Sequence, residues 1–273
     1  MLRMVSLSLV FAAFSIAGCS SDNPTPNPTK ADGGGAEGGS PEASPGGMSF
    51  SGRIFDLGQK GKAVAGATVT AAGLTATTDA TGAYSLPIPL NTPFSLGVTA
   101  PGYYKLIEQE TLIKGTVDRG KTYVPSDALG AMLNASLPGY TDTLGGVGVA
   151  IEKAASCPSE AGSTLTWTVD GGAPDGGTEK LVYFTAGFPS QAKSAQKDSF
   201  PHALIYNVAP GKKITVSVTP PTGCTAAPFP VDVAGPFVAG ADSTGGAGTL
   251  TFTVASVLTE AGKATSFLRV FLK

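Results

Sequence analysis

Between Ala83 and Val98 the chain alternates apolar and polar side chains, and a turn former marks each break in the alternation. Tyr84, Leu86, Ile88 and Leu90 share one parity, and Phe94, Leu96 and Val98 resume the pattern after "NTP". Successive side chains of a strand point to opposite faces, so this spacing predicts half-buried strands and excludes an amphipathic helix. Pro87 and Pro89 fall on the opposite parity. Proline has no N–H to give a ladder, so this strand is expected at a sheet edge.

The same pattern extends in both directions. "GRIFD" and "GATVTAAG" read as the preceding strands, and short Val, Thr, Ile and Leu runs continue to the last residues. Gly 37 and Pro 21 among 273 residues, with only 14% charged, supply turns at the frequency an all-β chain needs. One stretch departs from it. In "VPSDALGAMLNASL" Ser126 can cap a helix on which Leu129, Met132 and Leu133 recur at helical spacing.

The chain also aligns on itself. At an offset of 96, Gly52 falls on Gly148 and "AGATVT" (65–70) on "AGSTLT" (161–166); at 120, "FSLGVT" (94–99) falls on "ITVSVT" (214–219). This predicts a diverged repeat, the second copy enlarged around "DGGAPDGGTEKLVYFTAGFPS". A chance alignment of generic β sequence is the alternative. The expected fold is all-β: tandem Ig-like antiparallel β-sandwiches, spanning 48–124 and 143–273, joined by a connector with a short helix at 125–142. Alternation at Leu250, Phe252 and Val254, and again at Leu268, Val270 and Leu272, is expected to give the second sandwich its last strands. A strand at that end is read as leaving no room for a sorting tail.

Residues 1–18 carry Arg3 followed by an apolar run too short for a spanning helix, which needs about 20 residues. That is the pattern of an export signal. Ile16-Ala17-Gly18-Cys19 resembles the bacterial lipoprotein box. The resemblance implies cleavage before Cys19, a diacylglycerol on its sulfur and often a fatty acid such as palmitate on its new amine. Residues 19–47, nearly all Pro, Gly, Ser, Asn, Thr and Ala, cannot bury enough apolar area to order themselves. They are expected to be a disordered linker with a reach of roughly 30 Å. Ser20 lacks the Asp that retains many such proteins at the inner membrane, which favours the outer membrane of a Gram-negative cell. Cys157 and Cys224 remain, in a chain expected to meet an oxidising compartment, and are expected to pair.

A second resemblance rests on Gly52, Gly66-Ala67, Val69, Thr78-Asp79, Gly82, Tyr84, Val98 and Gly102-Tyr103. Their order and spacing resemble the carboxypeptidase regulatory-like domain over about 48–115. The resemblance implies a seven-stranded prealbumin-like sandwich and is nearly silent on activity.

Little chemistry is legible. A net charge of −2 with scattered Lys and Arg gives no footprint for nucleic acid. His202 is the one histidine, so triads and zinc sites lack their parts; it reads as a surface or rim residue. No cofactor is expected. Asp170, Asp175 and Glu179 form a weak candidate for Ca²⁺, better read as a solvated hairpin loop. Tyr103, Tyr104 and Trp167 form a candidate aromatic platform, although core packing is the default for Trp167. These readings favour a non-catalytic, lipid-anchored envelope protein that presents β modules to a protein or glycan partner. A carbohydrate-binding accessory lipoprotein is the alternative, and an enzyme of unknown class the third.

Overall fold

The computed structural model describes residues 47–59, 61–141, 143–174, 179–197, 199–227, 231–234, 249–252, 256–260 and 262–273. The leader, Cys19, residues 19–46 of the 19–47 linker and Asp175 lie outside them, while Gly47 opens the first strand. The described part belongs to one compact unit, Ala43–Lys273.

Among the described residues the first segment gives β1 (Gly47–Asp56), β2 (Thr68–Ala71), β3 (Leu74–Thr77), β4 (Ala83–Pro89), β5 (Gly97–Thr99), β6 (Lys105–Glu108), β7 (Thr111–Ile113) and β8 (Val117–Val124). Helix α1 (Asp127–Ser136) follows. The second segment gives β9 (Gly145–Lys153), β10 (Thr164–Val169), β11 (Lys180–Thr185), β12 (Phe188–Ser190) and β13 (Ala203–Val208). It continues with β14 (Lys213–Thr219), β15 (Val231–Ala234), β16 (Thr249–Phe252), β17 (Ser256–Leu258) and β18 (Ala264–Leu272). The fold is all-β apart from the helix. No helix among the described residues is long and apolar enough to cross a membrane.

The local expectations are met where sequence dictates them. Tyr84, Leu86 and Ile88 are buried, and β4 lies at the edge of the three-stranded sheet β4-β1-β8, its prolines opposite Ser49 and Gly47. Ser126 caps α1 by accepting a hydrogen bond from the Leu129 amide at 3.4 Å. Asp79 closes the turn before β4, its Oδ1 accepting from the amides of Thr81 and Ala83 at 2.8 and 2.9 Å. Gly82 has φ +76°, and a Cβ there would stand 2.4 Å from the Ile54 carbonyl oxygen. Only glycine fits both the angle and the approach.

One sheet runs through both segments, in the order β12-β11-β13-β9-β18-β6-β5-β2-β3. In the first segment, β4-β1-β8 packs over its β6-β5-β2-β3 end around Phe50, Ile54, Val69, Leu96 and Leu106. In the second, β10-β14-β17 packs over its β13-β9-β18 part around Val147, Leu165, Ile205, Ile214 and Val270. Three pairings are parallel, β1–β8, β6–β18 and β9–β18, which corrects the expectation of purely antiparallel sheets. Of the two stretches expected to close the second sandwich, 264–272 joins it through β9 and also binds the first through β6, whereas β16 pairs with β7 and Leu250 enters the first core, which corrects that expectation. Alternation states which face is buried, not which strand lies alongside. β18 is buried on both faces from Ser266 to Leu272, the condition of an inner strand among parallel neighbours.

The two segments share a connectivity. β1 pairs antiparallel with β4 and parallel with β8; β9 pairs antiparallel with β13 and parallel with β18. The β2–β5 register sets Thr68 opposite Thr99 and Val69 opposite Val98. The β10–β14 register sets Thr164 opposite Thr219 and Leu165 opposite Val218, the positions that the two sequence offsets demand.

Candidate functional site

On β9 Val147, Val149 and Ile151 point into the second core, which leaves Gly146, Gly148, Ala150 and Glu152 on the opposite face. In the first segment that sheet face is covered by β4-β1-β8. Beyond β18 it is covered by α1 and a group of aromatic rings, and the cover is incomplete. A groove of about 270 Å³ remains, with Gly146 and Gly148 in its lining. Its walls include Leu129, Met132 and Leu133 of α1 and the rings of Tyr123, Phe184 and Phe200. Phe188, on the β11–β12 hairpin, also lines it and is 60% exposed.

Glycine shapes the groove twice. A Cβ on Gly130 of α1 would lie 2.1 Å from the Tyr104 hydroxyl oxygen, so the ring lies directly against the helix backbone. A Cβ on Gly148 would lie 2.9 Å from Cδ2 of Phe267, so that ring lies over the strand.

At the other end of the same face four charged side chains are buried together. Arg119 of β8 approaches Glu108 of β6 at 3.4 Å, and Arg269 of β18 approaches Glu108 at 3.4 Å and pairs closely with Glu152 of β9. All four are at most 5% exposed. Two cations and two carboxylates make the cluster neutral. Burial, the largest influence on Glu108, raises its pKa, but Arg119 and Arg269 together outweigh it and hold the carboxyl below its ordinary value. The Tyr84 ring reaches this cluster across Gly52, where a Cβ would stand 2.9 Å from the hydroxyl oxygen. Burial pushes that hydroxyl's pKa upward.

The residues marked out by sequence are dispersed. Cys157 and Cys224 form a disulfide with Cα atoms 4.8 Å apart. Tyr104 is buried and lines the groove. Tyr103 is half-buried against the first core, its hydroxyl donating to Asp56 Oδ2 at 3.2 Å. Trp167 is half-buried against the second core. Tyr103 and Tyr104, in the loop before β6, pack on the first core and against α1, and Trp167 of β10 packs on the second core, so the three rings do not share a surface. Asp170 accepts from Lys212 Nζ at 2.8 Å and from the Lys213 amide at 2.9 Å, while Glu179 is buried. Among the described residues no group of three His, Cys, Asp or Glu side chains is placed to hold a metal ion.

His202 is fully buried, which corrects its reading as a rim residue. Its Nδ1 accepts from the Ile151 amide at 3.0 Å, which puts the proton of the neutral ring on Nε2, 3.9 Å from Glu160 Oε1. The ring replaces a ladder partner for β9 beside the cis Phe200–Pro201 bond. Sequence reasoning missed the Glu108, Arg119, Glu152 and Arg269 cluster. The available signal was Glu152 near the end of the apolar run "GGVGVAIEK" and Arg269, the one charge within "ATSFLRVFL".

No family model matches the chain, and no curated protein matches it. Among solved structures, the Bacillus anthracis TIE protein aligns with 84% of the chain at 10% identity and a TM-score of 0.21. The alignment spans 34% of that protein's length. A point mutant of the major pilin from Streptococcus pyogenes aligns with 84% of the chain and 99% of its own at 9% identity and a TM-score of 0.23.

Proposed function

We propose that this chain is a non-catalytic, lipid-anchored cell-envelope protein that presents two fused β-sandwiches for contact with other proteins. The anchor reading rests on the Ile16–Cys19 box followed by the Pro/Gly/Ser-rich 19–47 linker, and the outer membrane of a Gram-negative cell is its expected site. The shared connectivity and register of the two segments support their origin as tandem copies of one sandwich of the carboxypeptidase regulatory-like type.

The observation that carries the non-catalytic part is how the buried ionisable groups are used. Glu108, Arg119, Glu152 and Arg269 neutralise one another, the disulfide takes both described cysteines, and His202 commits one nitrogen to a backbone amide. A general base or nucleophile needs a partner aimed into a cleft. The groove has an apolar lining instead. The packing of Tyr103 and Trp167 on different cores gives the glycan reading less support than the protein-contact reading.

Expression in a Gram-negative host with labelled palmitate is expected to label the chain, and Cys19→Ala to abolish the label. Globomycin is expected to hold the precursor uncut; a precursor processed as usual refutes the anchor. Turnover by the purified chain on ester, peptide or glycosidic substrates refutes the non-catalytic reading.

A further inference from the structure

We infer that the groove beneath α1 is a binding site for one neutral, hydrocarbon-like small molecule of about ten heavy atoms, either a fused aromatic or a short alkyl body. The inference goes beyond the envelope role and does not depend on it.

The first argument is Gly146. Of the five groove glycines, Gly148 admits Phe267, Gly130 admits Tyr104, Gly187 holds a positive φ, and Gly58 lies in the loop after β1. Gly146 is different. A Cβ there would meet only Leu204 Cδ1, at 3.6 Å, an ordinary van der Waals contact, and its backbone φ lies outside the left-handed region. Gly146 is the second residue of β9, opposite the register shift between Tyr206 and Val208, and neither its own φ nor a close packing neighbour demands glycine there. What the missing side chain does preserve is open space in the groove that Gly146 lines. A strand glycine accompanies a bulge or a close approach from outside the strand, and the open space beside Gly146 leaves room for the second.

Volume and chemistry then define the occupant. A dry apolar cavity of about 150 Å³ holds benzene, so about 270 Å³ corresponds to about ten heavy atoms. The described lining residues are aromatic, aliphatic, glycine, proline and one threonine, with no charged side chain among them. A charged ligand would lose its water without gaining a counter-ion, and a sugar would strand several hydroxyls. The exposed Phe188 supplies a ring at the lip, on a hairpin whose turn residues Ala186 and Gly187 hold positive φ of 50° and 81°. It is one of two large apolar side chains exposed among the described residues, the other being Met48 in the first segment.

The test is calorimetric titration of the full-length chain with 1-naphthol, and with 1-naphthalenesulfonate as its charged counterpart. The expected result is saturable one-to-one binding of the neutral probe, at least tenfold tighter than the sulfonate. Gly146→Leu, which places an isobutyl group in the floor, is expected to weaken binding at least tenfold. Phe188→Ala alters an exposed side chain, leaves the fold intact and is expected to weaken binding severalfold, which keeps the test decisive if Gly146→Leu misfolds. Absence of saturable binding overturns the inference, as do equal affinities for the two probes. Unchanged affinity in Phe188→Ala also overturns it. Self-association that competes with the probe and is lost in Phe188→Ala would assign the groove to a second copy, which likewise overturns it.

Discussion

Replacing Arg269 with methionine removes one cation from a cluster buried away from solvent. Arg269 is 4% exposed and contacts both Glu108 and Glu152. Glu108 keeps Arg119 at 3.4 Å, whereas Glu152 loses the close pair it makes with β18. Stranding a buried carboxylate in this way costs about 3–5 kcal/mol. For a folded unit of this size each kcal/mol moves the midpoint by about 2–4 °C, so Arg269→Met is expected to lower Tm by roughly 10 °C. Adding Glu152→Gln removes the stranded charge and is expected to restore more than half the loss, because the pair as a unit contributes little beyond its own desolvation. Acid sensitivity gives an independent readout. The folded pKa of Glu108 lies below the ordinary 4.5, so its stabilising contribution is full above that value. It is lost as the pH falls through the lower folded value. With Arg269 gone, one of the two cations holding Glu108 down is missing, and acid unfolding should begin at a higher pH. Urea titrations of wild type and both variants between pH 3 and 7 measure all three effects. A cost below about 1 kcal/mol for Arg269→Met, or no rescue by Glu152→Gln, refutes the reasoning.

Three further outcomes follow from the packing. The Cys157–Cys224 bridge spans 67 residues, so Cys157→Ala with Cys224→Ala is expected to cost about 4 kcal/mol, read as a lowered urea midpoint that reductant no longer changes. Gly130→Ala should destabilise by about 1–3 kcal/mol despite alanine's higher helix propensity, because its Cβ falls on the Tyr104 ring; Tyr104→Phe should not rescue it, since ring carbons lie at 2.3 Å as well. Gly82→Ala is expected to cost about 1–3 kcal/mol through its positive φ and the Ile54 carbonyl, with faster amide exchange at the β1–β4 ladder as the local signature.

How much of this was legible depends on whether the information is local. The parity of Tyr84, Leu86 and Ile88, the edge position of Pro87 and Pro89, and the Ser126 cap are dictated by residues within one turn or strand. The pairing of Cys157 with Cys224 followed from counting thiols in a chain expected to be exported. The neighbours of β18 were not legible, because an apolar run buried on both faces fits beside any strand of suitable length. His202 was misread because its partner is a backbone amide, which no side-chain pattern announces. The groove was invisible for a related reason. It is made in part by the side chain missing at Gly146, and a glycine in a sequence rich in glycine looks like one more turn.

The place of β18 between β6 and β9 has a consequence for the order in which the chain is made. Ribosomal synthesis runs from the amino end, so β6 and β9 both exist before residues 264–272 have been added. In that interval β6 is paired only with β5, and β9 only with β13, in the nine-stranded sheet. Each then offers a row of unpaired amides and carbonyls to any passing strand. A nascent chain arrested before Ala264, or one clipped there by a protease, carries two such open rows at once. Premature termination in this region should therefore yield aggregates rather than a soluble amino-terminal sandwich, and a holdase would have to shield both rows until the last strand arrives.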